Sequence, residues 1–265
     1  MNFETGKIGI IGLGFVGGAI KASFNELDLV LVDNDPSRGS NSFKDLLQTD
    51  GVFICVPTPQ DDDGTCDTSI LTNILSRLAE INYQGVIISK CTAPPDLYTE
   101  LNLLFPNLIH APEFLTAANA NNDYAKGSFA IIGGQVKAYR DLAESIIRKS
   151  QPFLAHITHC SIGEASLAKY AINTFMSTKV IFMNELFNLA NASNCNFSKI
   201  TTMISHDPRI GKSHMQVPGP DGQFGFGGAC FPKDTSALLK YADKLGIQLN
   251  VLDAAVKKNT ILRLT

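Results

Sequence analysis

Residues 7–17, KIGIIGLGFVG, constrain the fold of this 265-residue chain more than any other stretch. A short apolar run ends in three glycines, Gly12, Gly14 and Gly17, at the opening of a helix-length segment (15–26). The first glycine permits a tight turn. The second lets backbone N–H groups approach a pyrophosphate, and the third lets the helix close on the strand. The helix N-terminus then faces the anion, with Phe15 and Val16 beside it. Asp33 ends the next apolar run, LVLVD, 21 positions after Gly12. A carboxylate there accepts from ribose hydroxyls and repels a 2′-phosphate, which favours NAD over NADP. Arg38 lies close enough in sequence to grip ribose or phosphate and keeps NADP open. The competing reading is a glycine turn that binds nothing.

The pattern around this motif repeats. KIGIIG (7–12), LVLVD (29–33), VFICV (52–56), GVIIS (85–89), NLIHA (107–111) and FAIIGG (129–134) read as strands covered on both faces. Helix-length segments at 67–80, 95–104 and 137–149 alternate with them. The expected fold is α/β, a Rossmann-like doubly wound parallel sheet. From residue 161 the character changes. Residues 163–193 contain no Gly or Pro after the first position and read as one helix of roughly eight turns. It is apolar almost all round, so another element or subunit should cover it. A glycine-rich loop (208–229), a helix from about 232 to 245 and a final helical run follow. The expected domains are 1–160, binding the dinucleotide, and 161–265, helical.

Composition removes several classes. Lys+Arg number 22 against Asp+Glu 25, with no basic run of nucleic-acid type. The apolar runs are too short to span a bilayer, and the N-terminus goes straight into a strand without a signal segment. The six cysteines show no CxxC and no metal spacing, so they read as reduced thiols. The expected compartment is the cytoplasm, with no nucleic-acid, membrane or metal partner.

Chemistry gathers where strands end. In VPTPQDDDG, Pro57 and Pro59 stiffen the loop, and Thr58 can donate to a cofactor. Asp61–Asp63 read as a solvated acidic turn, because adjacent carboxylates do not converge on one ion without a shaped loop. In KCTAPP, Thr92 is placed to bond a ligand or water, and Cys91 reads as packing. In HAPEFL, Glu113 can orient or deprotonate a water, or else cap the next segment. His110 reads as a core histidine. Lys169 and Asn173 lie one helical turn apart and can hold an oxyanion. The rival reading pairs Lys169 with Glu164 or Glu185 at the surface. In FGGACFPKD (226–234) the glycines admit a substrate carbon, and Pro232 suits a first helical turn. Cys230 then stands at a helix N-terminus, where the dipole favours a thiolate. Asp234 lies one turn on, and Lys233 adds positive charge. This is a setting for covalent catalysis.

With the glycine loop, VPTP, HAPEFL, LAKYAINTF and FGGACFPKD in this order, the chain resembles the nucleotide-sugar dehydrogenases, the UDP-glucose/GDP-mannose 6-dehydrogenase family. The resemblance implies oxidation of a primary alcohol to a carboxylate in two NAD-dependent steps without release of the aldehyde. It implies that Cys230 is the nucleophile, forming a thiohemiacetal and then a thioester that water hydrolyses. Lys169 and Asn173 would steady the oxyanions, while Asp234, Thr92 and Glu113 would handle protons and water. Gly12, Gly14, Phe15, Val16, Gly17, Asp33, Arg38, Pro57, Thr58, Thr92 and Lys233 would contact the cofactor. Glu113, Phe114, Leu115, Lys169, Asn173, Arg209, Phe224, Gly225 and Gly227 would contact the nucleotide sugar. Arg209 matches an arginine that family members extend into the neighbouring subunit, which implies a homodimer built around the long helix 163–193.

Three departures from the family's pattern are legible. Ala117 stands where PEFL-x-E has its glutamate. Only 18 residues separate Asp33 from Val52, where relatives carry a longer segment. The sequence stops within the helix that leads, in the family, to a third, nucleotide-binding domain. The leading expectation is a minimal two-domain sugar-nucleotide dehydrogenase, with UDP-glucose as its substrate. Its rivals are a two-electron hydroxyacid dehydrogenase of similar build, and a catalytically weak NAD- or sugar-binding accessory protein.

Overall fold

The computed structural model describes residues 6–24, 28–116 and 119–264. The end of the expected first helix and Ala117 lie outside the described residues. The chain divides into two units, Met1–Pro59 with Cys66–Lys169, and Gln60–Thr65 with Tyr170–Thr265.

In the first unit the strands β1 (Ile8–Ile11), β2 (Leu29–Val32), β3 (Gly51–Ile54), β4 (Val86–Ser89), β5 (Leu108–His110), β6 (Phe129–Gly133) and β7 (His156–Cys160) form one sheet. Their order is β2-β1-β3-β4-β5-β6-β7. The helices α1 (Phe15–Lys21), α2 (Ser69–Glu80), α3 (Pro95–Leu104), α4 (Ala120–Ala125) and α5 (Lys137–Ser150) lie between the strands in sequence. Because side chains alternate along a strand, neighbours feed opposite layers. Ile8, Ile10, Phe53 and Ile88 pack with α1, α4 and α5, whereas Ile11, Val52, Ile54 and Ile87 pack with α2 and α3. This double covering explains why every strand from β1 to β5 read as a continuous apolar run. The strand order reverses at β1, which sits between β2 and β3. A crevice at the carboxyl edge of such a reversal is where doubly wound sheets bind ligands.

The sheet is not wholly parallel. β5 and β6 pair antiparallel at His110 and Gly133, and β7 then runs parallel to β6. Among its described residues the link between β5 and β6 contains only the six-residue α4, too short to carry the chain back across the sheet. The direction of a doubly covered strand leaves no mark on its apolar pattern. β7 was not expected at all, because HITHC is half-polar and lies at the sheet edge.

The helices α6 (Ile162–Ala192), α7 (Phe197–Ile204), α8 (Phe231–Lys244) and α9 (Asn250–Leu264) complete the chain. A capping box starts α6, where the Ser161 amide and hydroxyl both donate to Glu164 at 2.7 Å. The division between the two compact units falls inside α6, after Lys169. The first turns of α6 bury against the sheet: Ala165 and Ser166 are shielded, and the Ser166 hydroxyl donates to Ala93 O at 2.6 Å. The acidic loop Gln60–Thr65 belongs to the second unit, where Ser236 of α8 donates to Gly64 O at 2.8 Å. Further along α6, Phe175, Phe182 and Leu189 remain exposed on one face.

Candidate active site

The first unit carries the glycine loop on β1 and α1. Gly12 adopts φ +85°, and a Cβ there would come within 2.8 Å of the Cys55 carbonyl. A Cβ on Gly17 would run into the Gly12 carbonyl, whereas one on Gly14 would meet open space. Two glycines are thus demanded by backbone packing, and the third leaves a free approach to the loop. Asp33 ties the structure together: its carboxylate accepts from Leu13 N at 2.6 Å and from Asp35 N at 2.9 Å. Phe15 and Arg38 are exposed, and Arg38 pairs with Asp35 at 3.3 Å. Val16 packs beside the core.

The loops after β3 and β4 are joined. The buried Thr58 hydroxyl donates to Thr92 O at 2.8 Å, so its proton faces the neighbouring loop and its lone pairs remain for a ligand. Pro57 is exposed and Thr92 is half-buried. Cys91 is core, its thiol directed at the carbonyls of Ile54 and Val56. Burial pushes the Cys55 thiol well above its ordinary range, which disfavours its thiolate. Asp61–Asp63 are exposed, and Asp63 closes a turn by accepting from the Thr65 amide and hydroxyl.

After β5 the chain builds an ion pair. Lys169 Nζ donates to Glu113 O at 2.6 Å and lies 3.1 Å from Glu113 Oε1, with both side chains buried. Glu113 Oε2 accepts from Leu115 N at 2.6 Å. Phe114 lies beneath the ammonium, 5.2 Å from ring centroid to Nζ, and its ring rests on Phe129. This resolves the sequence ambiguity over Lys169. Its partner is neither Glu164, which caps α6, nor Glu185, but a carboxylate 56 positions away. His110 is a core group, stacked on Tyr98 with centroids 4.2 Å apart, and burial pushes its pKa down to about 3.

Lys90 was not singled out from sequence. It follows β4 directly, is 6% exposed, and burial pushes its pKa down to about 8. Among the described residues no acceptor lies within hydrogen-bond reach; its ammonium sits 5.9 Å from the Phe53 and Tyr124 rings. It lines a cavity of about 460 Å³ together with Glu113, Phe114, Thr116, Tyr124 and Phe129. The available signal was a lysine placed directly after the mostly apolar run GVIIS.

In the second unit Cys230 is half-buried at the N-cap of α8, with Pro232 in the first turn. Asp234 is 1% exposed and accepts from Asn173 Nδ2 at 2.5 Å and Lys233 Nζ at 2.6 Å. Its own amide donates to Cys230 O at 2.8 Å, which places the carboxylate one turn below the thiol. Asn173 therefore directs its donor at Asp234. Arg209 is highly exposed and makes a double contact with Asp207. The loop before α8 lies on α9. Asn259 accepts from Phe226 N at 2.7 Å and donates to Phe226 O at 3.0 Å. Phe224 packs against Phe187 of α6. Asn259 was missed from sequence because a mid-helix asparagine carries no local signal.

A family model for the UDP-glucose/GDP-mannose dehydrogenase NAD binding domain matches residues 38–151, and one for the central domain matches 163–261. The chain belongs to the UDP-glucose/GDP-mannose dehydrogenase family. It is 28% identical to UDP-glucose 6-dehydrogenase AglM of Haloferax volcanii over 96% of its own length and 69% of that protein. It is 30% identical to UDP-glucose 6-dehydrogenase YwqF of Bacillus subtilis over 82% of its length and 50% of that protein. It therefore spans between half and about seven tenths of these relatives. The solved structure of a UDP-glucose dehydrogenase from Pyrobaculum islandicum shares the fold with a TM-score of 0.83 at 23% identity, over 97% of this chain and 68% of that one.

NAD is the cofactor of this family's first domain, and the residues here fit it. The open space at Gly14 leaves room for a pyrophosphate, the left-handed Gly12 makes the turn, and Asp33 stands at the end of β2, where a ribose would lie. Among the described residues no group of three or more His, Cys, Asp or Glu is arranged to hold a metal, and no helix is long and apolar enough to cross a membrane.

Proposed function

We propose that this chain oxidises the C6 alcohol of a nucleotide sugar, UDP-glucose, to the uronic acid through a covalent intermediate on Cys230. The observation that carries this reading is the buried Asn173–Asp234–Lys233 network one turn below the Cys230 N-cap. A helix N-terminus favours an anionic sulfur, and a buried carboxylate with fixed donors can orient a water or relay a proton. Bound NAD supplies the hydride acceptor, held by the glycine loop, Asp33, Thr58 and Thr92. Loss of a first hydride to NAD would leave the C6 aldehyde; Cys230 Sγ would add to it as a thiohemiacetal, loss of a second hydride to a second NAD would give the thioester, and water would open that to the carboxylate and the Cys230 thiol. Lys169 and Asn173 steady the oxygen charge, and Glu113, paired with Lys169 at 3.1 Å, positions the water. Phe114, Leu115, Phe224, Gly225 and Gly227 line the sugar and nucleotide.

The chain is further proposed to dimerise through α6. Phe175, Phe182 and Leu189 are 65%, 58% and 63% exposed and follow one another at seven-residue steps, the spacing of a helix-packing seam. Arg209, exposed and held by Asp207, would then reach the neighbouring sugar site.

The test is stoichiometric. Two NADH per UDP-glucose and a covalent adduct at Cys230 are expected, with Cys230→Ser blocking the second oxidation. One NADH with no effect of Cys230→Ser would instead identify a two-electron dehydrogenase. NAD binding without turnover on any UDP- or GDP-sugar would identify an accessory binding protein.

A further inference from the structure

We infer that Asn259 and Arg263 of α9 are positioning residues that fix the glycine-rich loop ahead of Cys230; the role of that loop rests on the function proposed above. The loop backbone is paired as if α9 were a neighbouring strand. Asn259, 9% exposed, satisfies both the N–H and the C=O of Phe226, at 2.7 and 3.0 Å. Arg263 Nη2 donates to Gly225 O at 3.2 Å, while its Nη1 donates to Asp221 Oδ2 at 2.7 Å and Gln223 Oε1 at 2.9 Å. From α6, Asn184 Oδ1 accepts from Gly225 N at 3.0 Å.

Sterics say the same. Gly225 adopts φ +73°, and a Cβ there would collide with Asn259. A Cβ on Gly227 would come within 2.8 Å of the Arg263 guanidinium. These glycines let the loop lie flat on α9, while Gly228 has open space at the corresponding position. The clamp therefore ends just before the residues that approach Cys230. Its effect continues through packing: Phe226 is buried and meets Phe231, the first residue of α8, edge to face at 6.3 Å. Cys230 is the residue before it. An amide that matches both backbone groups of one residue tolerates little slack, which is what a preorganised sugar-facing loop requires.

The experiment compares full-chain Asn259→Asp, Arg263→Met and Arg263→Lys with wild type. Asn259→Asp keeps shape and acceptor but aims a carboxylate at the Phe226 carbonyl. Hydrogen exchange of the 219–230 segment is expected to accelerate about tenfold, and kcat/KM for UDP-glucose to fall up to about a hundredfold. NADH affinity should be unchanged, and Arg263→Lys should recover more activity than Arg263→Met. Iodoacetamide labelling of Cys230, measured by peptide mass against the exposed Cys195, should accelerate about tenfold as the half-buried thiol is freed. Faster exchange with wild-type kcat/KM and wild-type Cys230 labelling would overturn the inference, and so would unchanged exchange. If wild type turns over no nucleotide sugar, the functional reading fails, while the labelling ratio still decides the clamp. If Asn259→Asp does not fold, the two Arg263 variants carry the same comparison.

Discussion

In the first unit Lys169 reaches Glu113 across 56 positions of sequence, whereas in the second Lys233 turns to its immediate neighbour Asp234. Both carboxylates are buried, but their support differs. Glu113 has the Lys169 ammonium and one backbone amide, while Asp234 has the Lys233 ammonium and the Asn173 side-chain amide. The Lys169 side chain is 3% exposed and that of Lys233 15%. A pair sealed on both sides cannot exchange its partner for water, so its loss should cost more. The lesson is that two similar charge pairs serve different ends: one locks the start of α6 to the sheet, the other trims the first turn of α8.

Removing each lysine in turn separates the two pairs. Lys169→Met strands Glu113 in the interior and is expected to destabilise by about 3–5 kcal/mol in urea unfolding. Lys233→Met leaves the Asn173 bond to Asp234 in place, and a smaller loss, of about 1–3 kcal/mol, is expected. Equal losses would show that burial of the lysine does not rank the two pairs.

Lys90 stands apart from both, because among the described residues it is buried with no acceptor in hydrogen-bond reach. Its pKa falls from 10.5 to about 8. At pH 7 it is charged in both folded and unfolded chains, so the full burial penalty is present. Between about pH 8 and 10.5 the unfolded chain binds the extra proton, and stability rises with pH. Lys90→Met is therefore expected to be more stable than wild type by about 3 kcal/mol at pH 7, a difference that fades to nothing above pH 10.5. A pH-independent difference would show that the ammonium is solvated after all. The smallest effect belongs to a neutral contact in the same neighbourhood. Ser166→Ala loses one buried hydrogen bond to Ala93 O and should cost about 1 kcal/mol in the same urea titration. A loss as large as that of Lys169→Met would place the lock in packing rather than in charge.

Residue by residue, legibility followed range in sequence. The Gly12–Gly17 turn, the start of α8 at Cys230 and Pro232, and the long α6 were readable, because each depends on neighbours a few positions away. The face shared by Lys169 and Asn173 was also readable from helical spacing alone. What each of those side chains faces was not: Lys169 turns to Glu113 and Asn173 to Asp234, 56 and 61 positions away. Lys90 and Asn259 escaped notice for the same reason, since their settings are made by strands and loops distant in the chain.

Local sequence alone carries the strand–glycine–helix turn, the alternation that builds a doubly covered sheet, and a cysteine at a helix start. Backbone conformation and periodicity are local properties, and short stretches carry them. It took the fold to show that β6 and β7 run against the rest, that Lys169 pairs with Glu113, that Lys90 is buried with no acceptor among the described residues, and that α9 holds the loop before Cys230. Strand direction and buried charge pairing are set by which distant groups share a dry interior, and no short stretch of the chain contains both partners.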